Sequence, residues 1–114
     1  MERLKKRKDF LLTAKTPYVW KRPSFVLQYR RQTGESSARV GFTVTKRQGN
    51  AVMRNRIKRR LREAVRVSLA AHLKPECDYV FIGRTFAAKQ EFSVLQKEMV
   101  EAVTRLHKNS AKDS

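Results

Sequence analysis

Residues 49–63 read Gly-Asn-Ala-Val-Met-Arg-Asn-Arg-Ile-Lys-Arg-Arg-Leu-Arg-Glu, and six of these fifteen positions are Lys or Arg. The same stretch carries a helical apolar repeat. Met53, Ile57, Leu61, Ala64, Val65 and Ser68 recur at spacings of three or four, so one stripe of a helix over residues 51–72 faces a core. Asn50 suits the N-cap, Gly49 frees the turn before it, and Pro75 closes the far end. With Met53 at zero and about 100° per residue, Arg54, Lys58, Arg62, Asn55, Arg66 and Arg59 fill the arc from about 100° to about 240°. Arg56 and Arg60 fall nearer the apolar edge, where their stems can lie over core residues while their heads reach water.

A solvated helix face ordinarily mixes signs, because like charges at i, i+4 cost stability. Here Arg54, Lys58, Arg62 and Arg66 form a ladder of one sign, and Glu63 is the only acid in the segment. Such a helix repels itself unless a polyanion lies against it, which points to nucleic acid. Arg outnumbers Lys six to one over residues 51–72. The planar guanidinium fork suits bidentate phosphate contact and stacking on bases.

A chain of 114 residues predicts one domain, taken here as residues 1–107, followed by a polar tail, 108–114, expected to be disordered. The net charge is +17, distributed as +6 over residues 1–22, +4 over 23–50, +6 over 51–72 and +1 over 73–114. The basic surface therefore belongs to the first two-thirds of the chain. No apolar run follows the basic start at residues 1–8, so no secretory signal is expected, and no stretch reaches the length of a membrane span. Cys77 is alone, which excludes a disulfide framework or a cysteine zinc site within the chain and fits a reduced, cytoplasmic setting.

Residues 8–15 predict a short helix with Phe10, Leu11 and Ala14 on one side. Residues 18–22 predict a short extended piece. Residues 24–31 and 39–45 alternate as strands, joined by a hairpin loop at 32–37 that contains Gly34. The near-continuous apolar run at 78–84 predicts a central strand. Residues 93–107 predict a second long helix with Leu95, Met99, Ala102, Val103 and Leu106 as its stripe and Ser93 with Gln96 as a capping box. The fold class is then α+β, a single-domain sandwich in the order α-β-β-β-α-β-α, with a small four-stranded sheet covered by helices on one face. The strand–helix–strand unit around the basic helix is expected to be right-handed by default.

No protein-based hydrolytic site is visible, and no catalytic or metal-binding residue is assigned. The ten acids are scattered, whereas two-metal nucleases need several converging carboxylates. Asp9 and Glu63 are read as local charge balance, and His72 and His107, near helix C-termini, as structural groups. Of the aromatics, Phe25 and Tyr29 alternate on one strand face with Phe42 on the next strand. Such a face either packs in the core or holds single-stranded RNA by stacking.

At Arg54-Asn55-Arg56 a specific likeness emerges. The segment from Arg39 to Glu63, Arg-Val-Gly-Phe-Thr-Val-Thr-Lys-Arg-Gln-Gly-Asn-Ala-Val-Met-Arg-Asn-Arg-Ile-Lys-Arg-Arg-Leu-Arg-Glu, resembles the signature of the bacterial ribonuclease P protein subunit. Leu4-Lys-Lys-Arg-Lys-Asp-Phe10 resembles that family's N-terminal helix, Ser24-Phe-Val-Leu27 its first long strand and Asp78-Tyr-Val-Phe-Ile82 its last. The resemblance implies a four-stranded sheet with a left-handed crossover around the basic helix, which overrides the default hand. It implies a subunit of an endoribonuclease that removes the 5′ leader from precursor tRNA. In that enzyme the RNA subunit is the catalyst and holds the Mg2+ ions. The implied partners are ribonuclease P RNA and precursor tRNA, with no membrane and no obligate protein partner. Arg54, Asn55, Lys58, Arg59 and Arg62 match positions that contact the RNA subunit, and Lys46, Arg47, Asn50 and Ala51 also match the signature. Arg66 joins this set from the helical arc. The implied leader cleft lies between the N-terminal helix and the sheet, with Phe10, Phe25, Tyr29 and Gln28 as its expected residues. The chain departs from the family pattern at Ala14 and Gln28, where many members carry aromatics.

A structural RNA-binding protein of the ribosomal kind shares the charge, size and basic helix but predicts no discrimination of leadered tRNA. A double-stranded DNA binder ranks lower, because a strand rather than a helix-turn-helix precedes the basic helix.

Overall fold

The computed structural model describes residues 1–32 and 37–112. The chain runs β1 (Glu2–Arg3), α1 (Arg7–Ala14), β2 (Val19–Lys21), β3 (Phe25–Arg31), β4 (Arg39–Thr43), α2 (Ala51–Ala64), β5 (Cys77–Gly83) and α3 (Phe92–Lys112). The strands form one mixed sheet in the order β1-β4-β5-β3-β2. β5 lies at its centre, antiparallel to β3 and parallel to β4, as expected for a strand apolar on both faces. The loop at 32–37 is therefore no hairpin, since β5 is inserted between β3 and β4; residues 33–36 of that loop lie outside the described residues.

The sheet has five strands rather than the expected four. The addition is β1, which pairs in parallel with β4 through Glu2 opposite Arg39 and Arg3 opposite Val40. Two charged residues carry no alternating pattern, so nothing in their side chains announces a strand. Their backbone is captured by the free edge of β4, through Glu2 N–H to Ala38 O at 2.7 Å and Leu4 N–H to Val40 O at 2.9 Å.

Residues opposite one another in register share a sheet face. Phe25, Leu27 and Tyr29 lie on the face of Cys77, Tyr79, Phe81 and Gly83. A Cβ at Gly83 would lie 2.5 Å from Ile57 Cγ2 of α2, so this is the face that α2 and α3 cover. The core between them includes Phe25, Leu27, Phe81, Ile57, Leu61, Leu95 and Met99, all fully buried. Burial of each such side chain contributes about 1.5–3 kcal/mol. The opposite face carries Val26, Gln28 and Arg30 of β3, Asp78, Val80 and Ile82 of β5, and Arg39, Gly41 and Thr43 of β4. A Cβ at Gly41 would lie 2.6 Å from the Phe10 ring, so α1 rests on this second face and the helices are not confined to one side. The inward side of α1 is Phe10 and Thr13, while Leu11 and Ala14 are exposed. The Thr13 hydroxyl donates to Asp9 O within the helix, and that bond lets a polar residue be buried.

The expected single helix over 51–72 changes character. After α2 it continues as a wider π turn, Val65–Leu69, and a 3-10 turn, Ala70–His72. Across the wide turn Leu69 is fully buried in place of Ser68. Ser68 instead accepts a hydrogen bond from Gln96 Nε2 of α3 at 2.8 Å. Gln96 is thereby unavailable for a capping box, and α3 starts at Phe92. α3 also runs to Lys112, five residues beyond the expected end at His107, because Ser110 is buried against the domain.

Candidate nucleic-acid interface

The start of α2 is built by three short-range devices. Lys46–Gln48 forms a 3-10 turn, and Gly49 follows at φ 129°, a conformation that L side chains rarely adopt. Asn50 then caps the helix, its side-chain oxygen accepting from Met53 N–H at 2.9 Å. Gln48 anchors the turn from outside: its Oε1 accepts from Thr85 N–H at 2.8 Å and from Thr85 Oγ1 at 2.9 Å. Lys46 and Arg47 are exposed beside the helix start as a result.

The cations of α2 sort by what they touch. Arg56 Nε donates to Ala88 O at 2.9 Å, and Arg60 donates to Ala87 O at 2.6 Å and to Gln90 O. Those carbonyls end the turn that follows β5, so these two arginines hold the fold together. The Arg60 guanidinium also lies 5.8 Å from the Phe92 ring centre. Burial, and then the charge of Arg56, lower its affinity for its proton, though an arginine there stays charged. Arg54 donates to Gly49 O at 3.1 Å and the Arg62 guanidinium lies 6.0 Å over the Phe42 ring, so both are oriented with donors left over. Lys58, Arg59 and Asn55 point away from the core and meet no protein partner among the described residues. Arg66 is paired with Glu63, whose carboxyl is held below its ordinary range chiefly by that bond. The predicted RNA-facing arc is thus one surface, with Arg66 the member already partly neutralised.

The second predicted site is split by strand parity. Phe10 and Gln28 share the open face and are half-buried there. Phe25 and Tyr29 do not belong to it. Phe25 is fully buried, edge-on to Phe81 with ring centres 5.6 Å apart, and Tyr29 is packed against Tyr79 and within 3.3 Å of Cys77 Sγ. Sequence alternation separates the two strand faces without saying which one the larger helices cover, and the aromatic face went to the core. Half-buried Thr43 and Ile82 stand on the open face instead. The signal that could have found them is the apolar run of β5, which has a second face in need of a cover.

The open face also carries an ionic cluster. Asp78 is fully buried and receives Arg39 through two bonds at 2.8 Å, Arg30 at 3.0 Å and Gln32 at 2.7 Å. An aspartate inside an apolar strand was its sequence signature, since a buried carboxylate requires partners. These bonds raise the Arg39 proton affinity, Asp78 contributing most.

The sequence model of the family described as Ribonuclease P matches residues 1–107, which take in both surfaces. The chain belongs to the ribonuclease P protein family. It is 46% identical over 105 residues to the ribonuclease P protein component of Caulobacter vibrioides, covering 92% of this chain and 70% of that protein. To the component of Bartonella quintana it is 48% identical over 103 residues, covering 85% and 77%. Among solved structures, the ribonuclease P protein of Thermotoga maritima superposes with a TM-score of 0.77 at 28% identity, covering 92% of this chain and 97% of that one. That of Staphylococcus aureus gives 0.75 at 31%, covering 93% and 94%.

In this ribonuclease P fold four of the described acids are held by arginines. Asp9 and Asp78 are engaged by arginines, Glu63 by Arg66 and Glu98 by Arg22. Among the described residues no three His, Cys, Asp or Glu converge as a metal-binding group. His107 is structural: its Nε2 lies 2.6 Å from Tyr79 Oη, and burial, then the charges of Lys74 and His72, push its pKa down to about 4.

Proposed function

We propose that this chain is the protein subunit of a bacterial ribonuclease P, and so part of an endoribonuclease that removes the 5′ leader from precursor tRNA. The supporting observation is the sorting of cations on α2. Arg56 and Arg60 are consumed by backbone carbonyls, whereas Lys58 and Arg59 meet no protein partner among the described residues and Arg54 and Arg62 keep free donors beside them. A line of oriented guanidinium groups with open donors matches the phosphates of a folded RNA, with Asn55 as a hydrogen-bonding group among them. Lys46 and Arg47 extend this contact around the helix start. The cleft between α1 and the open sheet face holds the single-stranded leader, with Phe10 offering a ring to a base and Gln28 offering hydrogen bonds.

Catalysis resides in the RNA subunit under this reading. Asp9 on α1 and Asp78 on the open sheet face are engaged by arginines, and in this reading the RNA holds the reaction's Mg2+ ions. The protein contributes binding and charge neutralisation where phosphates crowd.

Cleavage of a 5′-leadered precursor tRNA by a bacterial ribonuclease P RNA, at low Mg2+, with and without this chain, tests the proposal. Cleavage that requires both components is the expected result. Cleavage by the protein alone would overturn the assignment of chemistry to the RNA. Binding without promotion of cleavage would leave a structural RNA-binding protein.

A further inference from the structure

Arg39 makes a three-armed contact that neither RNA-facing surface requires. From β4, its Nε and Nη2 donate to the two oxygens of Asp78 at 2.8 Å each, and its Nη1 donates to Asp9 Oδ2 of α1 at 3.1 Å. The carboxylate at one end is fully buried in the central strand, and the one at the other end sits on α1, the helix that rests on the open face. Next to Asp9 in sequence, the Phe10 ring lies against the bare backbone of Gly41, where a Cβ would come within 2.6 Å of it. α1 is therefore seated on the sheet at two adjacent points, one ionic and one steric.

We propose that Arg39 is a positioning residue for the leader: by bridging Asp9 to Asp78 it fixes the height of α1 above the sheet, and with it the width of the cleft that Phe10 and Gln28 face. This deepens the leader-cleft reading and rests on it. Two observations set it apart from direct phosphate binding by Arg39. Its donors are turned inward onto two carboxylates, so its charge is already balanced. Asp9, for its part, follows Lys5, Lys6, Arg7 and Lys8 at the mouth of a cleft meant for a polyanion, where a carboxylate repels the ligand. An acid in that place makes sense as the helix-side half of a clamp.

The two readings of Asp9 predict opposite signs. If Asp9 were only a charge, its removal would make the cleft more positive and tighten leader binding. If it is half of a clamp, removal frees α1 and loosens it. The test uses holoenzyme reconstituted from this chain and a bacterial ribonuclease P RNA. Affinity is measured for a precursor tRNA with a long 5′ leader and for the same tRNA with a leader of a single nucleotide. For Asp9→Ala and for Arg39→Lys, which keeps the charge but cannot bridge both carboxylates, the long-to-short affinity ratio is expected to fall about three- to ten-fold. Affinity for the RNA subunit alone should stay at the wild-type value, a result that general unfolding would not give. Gly41→Ala, which displaces the Phe10 ring instead, should lower the same ratio. A ratio that holds or rises in Asp9→Ala overturns the clamp. A wild-type holoenzyme that does not distinguish the two substrates overturns the cleft reading itself, and the clamp with it.

Discussion

Arg59 and Arg60 are neighbours in sequence with opposite employment. Arg60 serves two backbone carbonyls and Arg59 serves none. Arg60→Ala is expected to cost about 1–3 kcal/mol of stability, the penalty of leaving buried acceptors unmet, with little change in how RNA binding depends on salt. Arg59→Ala should leave the denaturation midpoint in place and flatten the log–log salt slope of RNA binding by about one unit or less. Denaturant titration and salt titration of the same two variants check both halves. His107 supplies a pH test. Its folded pKa of about 4 lies below the ordinary value of 6.5, so the unfolded chain takes up its proton first. Its contribution is fully present above pH 6.5 and is lost as pH falls from there toward 4. Replacing His107 with Gln should shallow the decline of thermal stability over that window. At this scale helical angle correctly put Arg56 and Arg60 at the apolar edge, but their heads meet backbone carbonyls where water was expected. The sequence was silent on Phe25 and Tyr29, because a two-residue period defines two faces and names neither.

Among the elements, α2 depends most on the residues just before it. Gly49 holds a backbone conformation that costs other residues about 1–3 kcal/mol, and a Cβ there would press on Met53 at 3.0 Å. Gly49→Ala is expected to destabilise the domain by about that amount and to weaken RNA binding through displaced Lys46 and Arg47. Calorimetry and filter binding together check this. The helix and its cap were legible because capping chemistry is local, and β5 because its apolar run has the right length. The pairing of β1 and the placement of β5 between β3 and β4 were not. Both depend on which backbone edges find each other across many residues, and side-chain pattern does not encode that. The π turn at Val65–Leu69, where Ser68 meets Gln96 of α3, was likewise hidden, since no breaker residue marks it.

At the scale of the whole molecule, +17 on 114 residues sets self-repulsion against a modest core. Sulfate is expected to bind the folded basic surface and so to raise the thermal midpoint at constant ionic strength. A scan against chloride measures it, and a midpoint indifferent to the anion would mean that the folded state holds no organised anion sites. The overall α+β plan was readable from element order alone, whereas the distribution of helices over two faces needed Gly41 and Gly83 to be seen against their neighbours.

The central strand is also the last strand to be made. α1, β3, β4 and α2 all precede β5 in the chain, yet β3 and β4 touch it and not each other. During synthesis the basic helix and both flanking strands emerge with no common floor beneath them. When residues 77–83 arrive they pair with both neighbours, bring Gly83 under Ile57, and deliver the carboxylate of Asp78 to Arg39. The surface offered by α2 and the seat of α1 thus rest on two sides of the same seven residues. A chain cut short before them has the charge to cling to RNA and no shape with which to choose it.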